Sequence, residues 1–368
     1  SVGASGDLVP LAHMGLVLIG EGEAFLNGNR VSGREALEAC GLAPLNLEAG
    51  EGLALINGTQ AMTAIGGLAV YDAARLARHT DLAAAMSLEV LMGSKTEFDP
   101  RIHQMRPHPG QAIAAENMDR IIRNSEIISS HRDCKRVQDA YTLRCSPQVH
   151  GASRDALAYA TGVVETELNS VTDNPLVFGE GDIISGGNFH GQPLALAMDF
   201  AAMALAELAS ISERRTYLLL GGDDGLPKLL MKDTGVNSGF MMPQYTAAAL
   251  VSENKVLCHP ACVDSIPTSL GQEDHVSMGS ISALKLLTVL RNVERVLAVE
   301  FLTAAQALDF RSPLNPGHGV RVAHELLRQQ IRHADRDYEV RNDLDTCAEI
   351  LRRGDLAGIV KESVGGLA

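Results

Sequence analysis

Hydrophobic residues recur at steps of three and four along most of the chain, which is the spacing of a helix that is buried on one side. The longest such stretch runs from Met278 to about Leu308 and places its charged residues between the apolar ones. A more apolar stretch covers residues 194–212. A helix of about 30 residues is much longer than the globular average. The pattern therefore predicts an all-α fold, an elongated bundle of long helices with the chemistry placed on polar loops.

Shorter helices are predicted between these stretches. Apolar positions at helical spacing lie within residues 68–76, and a helix that follows the Pro-rich loop 106–110 is predicted to run through Ile127. Ser153 is a good N-cap residue, so we expect another helix to begin there and to end before Pro175.

The pattern differs over residues 20–35. Glycine-rich turns at 20–22 and 27–29 predict a small β-hairpin near the N-terminus. Ser32 is followed by Glu35 at the spacing of a capping box, which predicts that a short helix begins directly after the hairpin.

Composition narrows the class of protein. The chain has 368 residues, of which 46% are hydrophobic and 21% charged, so it can bury a large core and is not a disordered chain. Asp and Glu number 45 against 31 Lys and Arg, and the net charge of −14 argues against nucleic acid or an anionic membrane as partner. With no internal repeat or low-complexity linker, residues 1–368 are predicted to form a single helical domain.

The cysteines and the apolar segments indicate the cellular compartment in which we expect the protein. The six cysteines are scattered, and segment 258–262 offers no second ligand pair at finger spacing, so we expect reduced thiols and no metal site. The apolar stretch 194–212 carries Asp199 and Glu207, which a bilayer core would penalise. The chain does not open with a basic segment followed by an apolar one, so we expect no secretory signal and a cytoplasmic location.

Ala4, Ser5 and Gly6 are the first candidates for chemistry. A flexible turn is the ordinary interpretation of such a sequence, and the Lys-Ser/Thr ending of a phosphate-binding loop is missing. However, the amide nitrogen of Gly6 can attack the carbonyl carbon of Ala4 if the turn is tight, because neither side chain obstructs it. Loss of one water closes an imidazolone ring, and loss of the Ser5 hydroxyl as a second water leaves a methylidene group. The result is an electrophile made from the backbone with no external cofactor.

Gln138, Tyr141 and Arg144 recur at three-residue steps, so on a helical turn they would share a face. A guanidinium can bind a substrate carboxylate through two hydrogen bonds, which makes Arg144 a candidate for substrate binding. A set of hydrogen bonds within the helix is the alternative interpretation.

Glu273 is the candidate acid. It lies just before the longest predicted helix, where it is either a first-turn acid favoured by the helix dipole or a carboxylate aimed at a basic substrate ring. Asp274 and His275 follow it, but no nucleophile-elbow motif accompanies them, which argues against a serine hydrolase. Amide-rich loops at 56–60, 169–175 and 187–193 add candidate polar groups, with helix capping as the alternative.

Taken together, these motifs resemble the aromatic amino acid ammonia-lyases. The resemblance covers essentially the whole chain, and the segments that carry it stand in the family's order: 1–8, 57–60, 106–111, 138–145, 188–191 and 272–275. It implies an all-helical homotetramer whose active sites draw on more than one subunit. It also implies non-oxidative elimination of ammonia from an amino acid by a 4-methylidene-imidazol-5-one group formed from Ala4-Ser5-Gly6.

The resemblance also implies a role for each matched residue. Asn57 would hydrogen-bond the ring and stabilise its oxyanion. Gln138 and Tyr141 would line the site, Arg144 would hold the substrate carboxylate, and Phe189 would pack against the substrate. Whether the substrate's amine or its imidazole attacks the electrophile is left open.

Gln272-Glu273 resembles the pair found in the histidine-specific branch of the family, whereas phenylalanine and tyrosine lyases carry Asn-Gln. A carboxylate pairs with an imidazole but would be left unpaired against a phenyl ring. We therefore expect conversion of L-histidine to trans-urocanate and ammonia. The alternatives are a phenylalanine or tyrosine ammonia-lyase, an aminomutase, and a helical assembly protein without catalysis.

The family's sequence before the Ala-Ser-Gly turn supplies a tyrosine implicated as catalytic base and a histidine that helps to bind substrate. This chain begins just before that turn. We therefore expect it to lack the family's N-terminal segment.

Overall fold

The computed structural model describes residues 1–134 and 136–368, and most of these residues are helical. This confirms the prediction of an all-α fold. The α-helices are α1 (Leu8–Leu18), α2 (Gly33–Ala39), α3 (Glu51–Ile56), α4 (Gln60–Val90), α5 (Pro100–Gln104), α6 (Pro109–Ile121), α7 (Glu126–Ser130), α8 (Tyr141–Arg144), α9 (Ser146–Leu168), α10 (Gln192–Leu219), α11 (Met241–Leu257), α12 (Gly279–Asp309), α13 (His318–Gln330), α14 (Arg341–Arg353) and α15 (Asp355–Ser363).

Two antiparallel hairpins interrupt the helices. In the first, β1 (Glu23–Leu26) pairs with β2 (Asn29–Ser32) around the turn at residues 27 and 28, as the sequence predicts. In the second, β3 (Leu176–Val177) pairs with β4 (Ile183–Ile184). This hairpin was not predicted, because strands of two residues are too short to show an alternating pattern.

The predicted capping box at the start of α2 is confirmed. Ser32 Oγ accepts a hydrogen bond from the Glu35 amide at 3.3 Å, and Glu35 Oε2 accepts one from the Ser32 amide at 2.9 Å. These two bonds satisfy backbone donors that the first turn of a helix leaves unpaired.

The two long helices form, and one is longer than expected. Helix α12 has 31 residues and matches the predicted range to within one residue at each end. Helix α10 continues past the predicted end at 212 to Leu219. The extra turns carry Glu213 and Arg215, which are both fully buried. The polar residues at which the sequence predicts the helix to end therefore lie in the core.

Two predicted helix boundaries are wrong. The helix after the Pro-rich loop ends at Ile121, and Asn124, with a φ of 64°, separates it from α7, which Ser125 caps. Helix α9 begins at Ser146, so Ser153 is not its N-cap. Ser153 lies inside the helix, where its Oγ donates to the Ala204 carbonyl at 2.8 Å.

The chain divides into two compact units, and α4, α9, α10 and α12 contribute residues to both. The first unit comprises Ser1–Ala69, Ala160–Phe200 and His259–Leu287. The second comprises Val70–Tyr159, Ala201–Cys258 and Thr288–Ala368. Each unit is discontinuous in sequence, and the single-domain prediction stays a prediction.

Helix α10 is the one helix, among the described residues, that is long and apolar enough to cross a membrane. Most of its apolar window is buried inside the protein, as in a core helix. Asp199 on this helix is also buried, and its carboxylate accepts hydrogen bonds from Lys285 Nζ at 3.0 Å and from the amides of Ala261 and Cys262.

Candidate active site

The turn formed by Ala4, Ser5 and Gly6 lies directly before α1 and is tied to residue 58. The Gly58 amide donates to the Ser5 carbonyl at 3.1 Å, and the Asp7 amide donates to the Gly58 carbonyl at 2.7 Å. Ser5 and Gly6 both have positive φ, 46° and 74°. A serine in this region is strained, and the surrounding hydrogen bonds hold it there.

Gly6 is required at this turn for two reasons. Its φ favours glycine, and a Cβ atom added to it would lie 2.0 Å from the Gly58 carbonyl oxygen. Gly3 is restricted in the same way, because its Cβ would lie 2.4 Å from the Ser277 carbonyl oxygen. The backbone segments around the turn therefore approach more closely than any side chain allows.

Asp7 anchors the turn to α4. Its Oδ2 accepts a hydrogen bond from the Met62 amide at 2.7 Å, in the first turn of that helix. Burial raises the pKa of the Asp7 carboxyl, although the amides of Met62 and Ala61 oppose this shift.

Glu273 lies beside the turn. Its Oε1 accepts a hydrogen bond from Ser5 Oγ at 3.3 Å, and its Oε2 accepts from Thr268 Oγ1 at 2.7 Å and Ser269 Oγ at 2.6 Å. The hydrogen bonds from Ser269 and then Thr268 hold the pKa of Glu273 below its usual value, so the carboxylate stays charged. Helix α12 begins only at Gly279, so the interpretation of Glu273 as a first-turn helix acid is wrong.

His190 joins the two loops that carry Phe189 and Glu273, and sequence reasoning gave it no role of its own. Its Nε2 donates to the His275 carbonyl at 3.1 Å, and the two imidazole rings stack with centroids 5.6 Å apart. Phe189 is half-buried and Gln272 is exposed. The order Asn-Phe-His-Gly was the only signal that this residue matters.

Asn57 is buried next to the turn, but its side chain points elsewhere. Its Nδ2 donates to Asp173 Oδ1 and to the Asn174 carbonyl, both at 2.9 Å. No hydrogen bond from its side chain to Ser5 is found in the described part of the chain. The contact to Ser5 comes from the next residue, Gly58, and the ring-binding role of Asn57 stays a prediction.

Gln138, Tyr141 and Arg144 lie in the second unit and line one cleft of about 1000 Å³. Helix α8 contains only four residues, and Gln138 precedes it, so the prediction that all three share a helix face is wrong. Arg144 and Tyr141 do meet, because the guanidinium carbon lies 4.9 Å from the centre of the Tyr141 ring.

The guanidinium of Arg144 is available to a ligand. Within the described residues it forms no ion pair with a carboxylate, and its Nε is buried without a hydrogen-bond partner. A buried donor that lacks a partner costs free energy, which a bound carboxylate would recover.

A buried ionic cluster lies next to α8, and the sequence analysis did not predict it. Arg215 donates through Nε and Nη2 to Glu300, and its Nη1 donates to His150 Nε2 at 3.3 Å. His150 Nδ1 in turn donates to Asp81 Oδ1 at 2.8 Å. Burial is the main cause that lowers the pKa of His150, so this imidazole is neutral and links two ion pairs.

Potential metal ligands are scattered over the residues that the structure describes. In residues 1–134 and 136–368 no three or more His, Cys, Asp or Glu side chains are placed to hold a metal ion. The six cysteines all lie in the described part of the chain, and none of them forms a disulfide bond.

Comparison with known proteins gives one consistent family. A family model described as aromatic amino acid lyase matches residues 1–329. Histidine ammonia-lyase from Gloeobacter violaceus is 56% identical over 370 residues, which cover 100% of this chain and 72% of that protein. Histidine ammonia-lyase from Sorangium cellulosum is 56% identical over 375 residues, which cover 100% of this chain and 73% of that protein.

Solved structures share the fold. Histidine ammonia-lyase from Trypanosoma cruzi superposes with a TM-score of 0.91 at 44% identity, over 98% of this chain and 69% of that chain. Tyrosine aminomutase from Streptomyces globisporus superposes with a TM-score of 0.93 at 38% identity. The match covers 98% of this chain and 73% of that chain.

Proposed function

The chain belongs to the aromatic amino acid lyase family, and from this premise we propose that it removes ammonia from L-histidine to give trans-urocanate. Relatives that cover the whole chain at 56% identity carry the name histidine ammonia-lyase. The observation that supports this substrate most directly is the charged Glu273 carboxylate beside Ser5. A carboxylate there can accept a hydrogen bond from an imidazole N–H, and a phenyl ring offers none.

The turn fits the precursor of a 4-methylidene-imidazol-5-one group. Ser5 and Gly6 have the positive φ values of a tight turn, Gly6 has no side chain, and Ala4 is small and packs against Val276 and Met278. The Ser5 carbonyl, which ring formation retains, is already held by the Gly58 amide. Once formed, the group supplies an electrophile that activates the substrate.

The chain's own residues bind and orient the substrate. We assign the imidazole to Glu273 and, in a site shared between subunits, the substrate carboxylate to the partner subunit's Arg144. Tyr141 supports Arg144 through its ring and presents a phenol to the same cleft. We further propose a homotetramer with shared active sites, as the family resemblance implies, and a cytoplasmic location. Each site would then be completed by another subunit.

An assay with three amino acids tests the function. The purified protein is incubated with L-histidine, L-phenylalanine and L-tyrosine, and the products are identified by chromatography. We expect urocanate from histidine, and none from a Ser5→Ala variant, which cannot form the methylidene. Absence of histidine turnover by the unmodified protein would overturn the proposal.

A second candidate is an aminomutase, because tyrosine aminomutase from Streptomyces globisporus has the same fold. An aminomutase returns the amino group to the substrate, so the assay would detect a β-amino acid. A non-catalytic helical scaffold is tested by intact mass, since ring formation removes two water molecules from the chain and a scaffold would lose none.

A further inference from the structure

Asp139 lines the proposed substrate cleft between Gln138 and Tyr141, but unlike them its side chain is largely buried. Gln138 and Tyr141 are exposed, whereas Asp139 is 7% exposed and buried against the protein. The segment 136–139 has no regular secondary structure. Among the described residues, no backbone hydrogen bond is formed by its amides. Side-chain contacts must therefore fix its path.

The Asp139 carboxylate supplies those contacts. Its Oδ2 accepts a hydrogen bond from the Ser94 amide at 2.6 Å, and its Oδ1 accepts one from Arg136 Nη1 at 3.2 Å. Arg136 also donates to the carbonyls of Leu91 and Met92, at 3.2 and 3.4 Å. The carboxylate thus joins the loop that carries Gln138 to the residues that follow the end of α4.

A second arginine holds the same end of α4. Arg311 donates to the Val90 carbonyl at 2.9 Å and to the Asp224 carbonyl at 2.7 Å. Asp224 also pairs with Arg136 through its side chain. The residues to which the Asp139 loop is attached are therefore themselves held by two arginines, Arg136 and Arg311.

We propose that Asp139 is a positioning residue for substrate binding, which rests on the proposed function. Its two carboxylate oxygens are engaged by the Ser94 amide and by Arg136 rather than offered to a ligand. It holds the backbone from which Gln138 and Tyr141 project, and Tyr141 in turn contacts the guanidinium of Arg144. A misplacement of about 1 Å in such groups can cost about a hundredfold in rate.

Asp139→Asn tests the proposal. The variant keeps the size of the side chain and an acceptor for the Ser94 amide but loses the ion pair with Arg136. We expect KM for L-histidine to rise about tenfold and kcat/KM to fall about ten- to a hundredfold. The intact mass should stay that of the unmodified protein, because the Ala4-Ser5-Gly6 turn belongs to the other unit. Calorimetric titration with L-histidine in a Ser5→Ala background, which cannot form the methylidene, gives Kd independently of turnover.

Asp224→Asn is the matched comparison, because it removes the other carboxylate partner of Arg136 and leaves Asp139 in place; its KM should rise clearly less than that of Asp139→Asn. If Asp139→Asn does not fold, Arg136→Met replaces it and should raise KM in the same direction. An Asp139→Asn or Arg136→Met protein with unchanged KM and Kd overturns the inference. If the unmodified protein acts only on another amino acid, the proposed function fails, and the same comparison with that amino acid still tests Asp139.

Discussion

At the scale of single residues, the proposed specificity for histidine rests on Glu273. Glu273→Gln keeps the shape of the side chain but removes the charge that would bind the imidazole. A hydrogen bond to a charged group contributes roughly 1.5–3 kcal/mol, so histidine turnover should fall about ten- to a hundredfold. The measurement is steady-state kinetics, with circular dichroism to confirm folding.

Asp274→Asn is the control for this change, since it removes a charge from the adjacent, exposed residue. It should leave turnover near normal. If Glu273→Gln also keeps near-normal activity, Glu273 does not bind the substrate, and the reason for preferring histidine over phenylalanine or tyrosine is lost.

Formation of the proposed electrophile should depend on Gly6. In Gly6→Ala the new Cβ would lie 2.0 Å from the Gly58 carbonyl oxygen, so the turn must open. We expect a protein that folds but whose intact mass lacks the loss of two waters, and whose turnover is abolished. Gly28→Ala is the control: its φ is also positive, 82°, but its Cβ meets nothing within 4 Å. It should cost about 1 kcal/mol in stability and leave ring formation intact.

The sequence located several of these residues but not their partners. Ser5 and Glu273 are 268 positions apart, and only the motif order suggested that they meet. The donation from Asn57 to Asp173 and Asn174 had no local signal, because amide side chains in loops have many possible partners. Contacts between distant loops depend on the packing of the helices that carry them, which periodicity does not specify.

At the scale of secondary-structure elements, the hydrophobic periodicity predicts the long helices but not the charged residues of these helices that are buried in the protein. Arg215 and Glu300 look like surface residues in the sequence but form a fully buried pair. Buried charges are retained only when paired, and the pairing is invisible without the fold. This is why α10 was predicted to end too early.

The start of α13 contacts a further buried acid. Glu89 on α4 accepts a hydrogen bond from the Gly317 amide with both carboxyl oxygens, at 2.9 and 3.1 Å. Burial raises the pKa of Glu89 from 4.5 to about 8. The folded state therefore binds this proton more tightly than the unfolded state does. Its contribution to stability is complete below pH 4.5 and is lost as the pH rises through about 8.

Glu89→Gln should remove this pH dependence. Each pKa unit corresponds to about 1.4 kcal/mol, so the loss between pH 6 and pH 9 in the unmodified protein is on the order of 2–3 kcal/mol. Thermal melts at both pH values should show a smaller drop for the variant. Glu126→Gln is the control, since Glu126 caps the neighbouring Asn315 amide but is exposed. Equal drops for Glu89→Gln and the unmodified protein would contradict the assignment.

At the scale of the whole molecule, helix α10 leaves an apolar stripe in solvent. Leu196, Phe200 and Met203 lie at steps of four and three on this helix, and each is more than 40% exposed. Burying apolar surface stabilises an interface by roughly 25 cal/mol per Å². The stripe is therefore a candidate contact of the proposed tetramer, in which other subunits complete each active site.

Phe200→Asp should break this assembly, because a charge placed in an apolar interface is left without a partner. Sedimentation velocity at micromolar concentration should show a tetramer for the unmodified protein and a smaller species for the variant. Phe25→Asp is the control: Phe25 is also exposed, at 77%, but lies on the β1–β2 hairpin.

If active sites are shared, histidine turnover should fall with the tetramer fraction in Phe200→Asp. Its intact mass should stay unchanged, since ring formation occurs within one chain. A monomeric unmodified protein with full turnover would exclude shared sites.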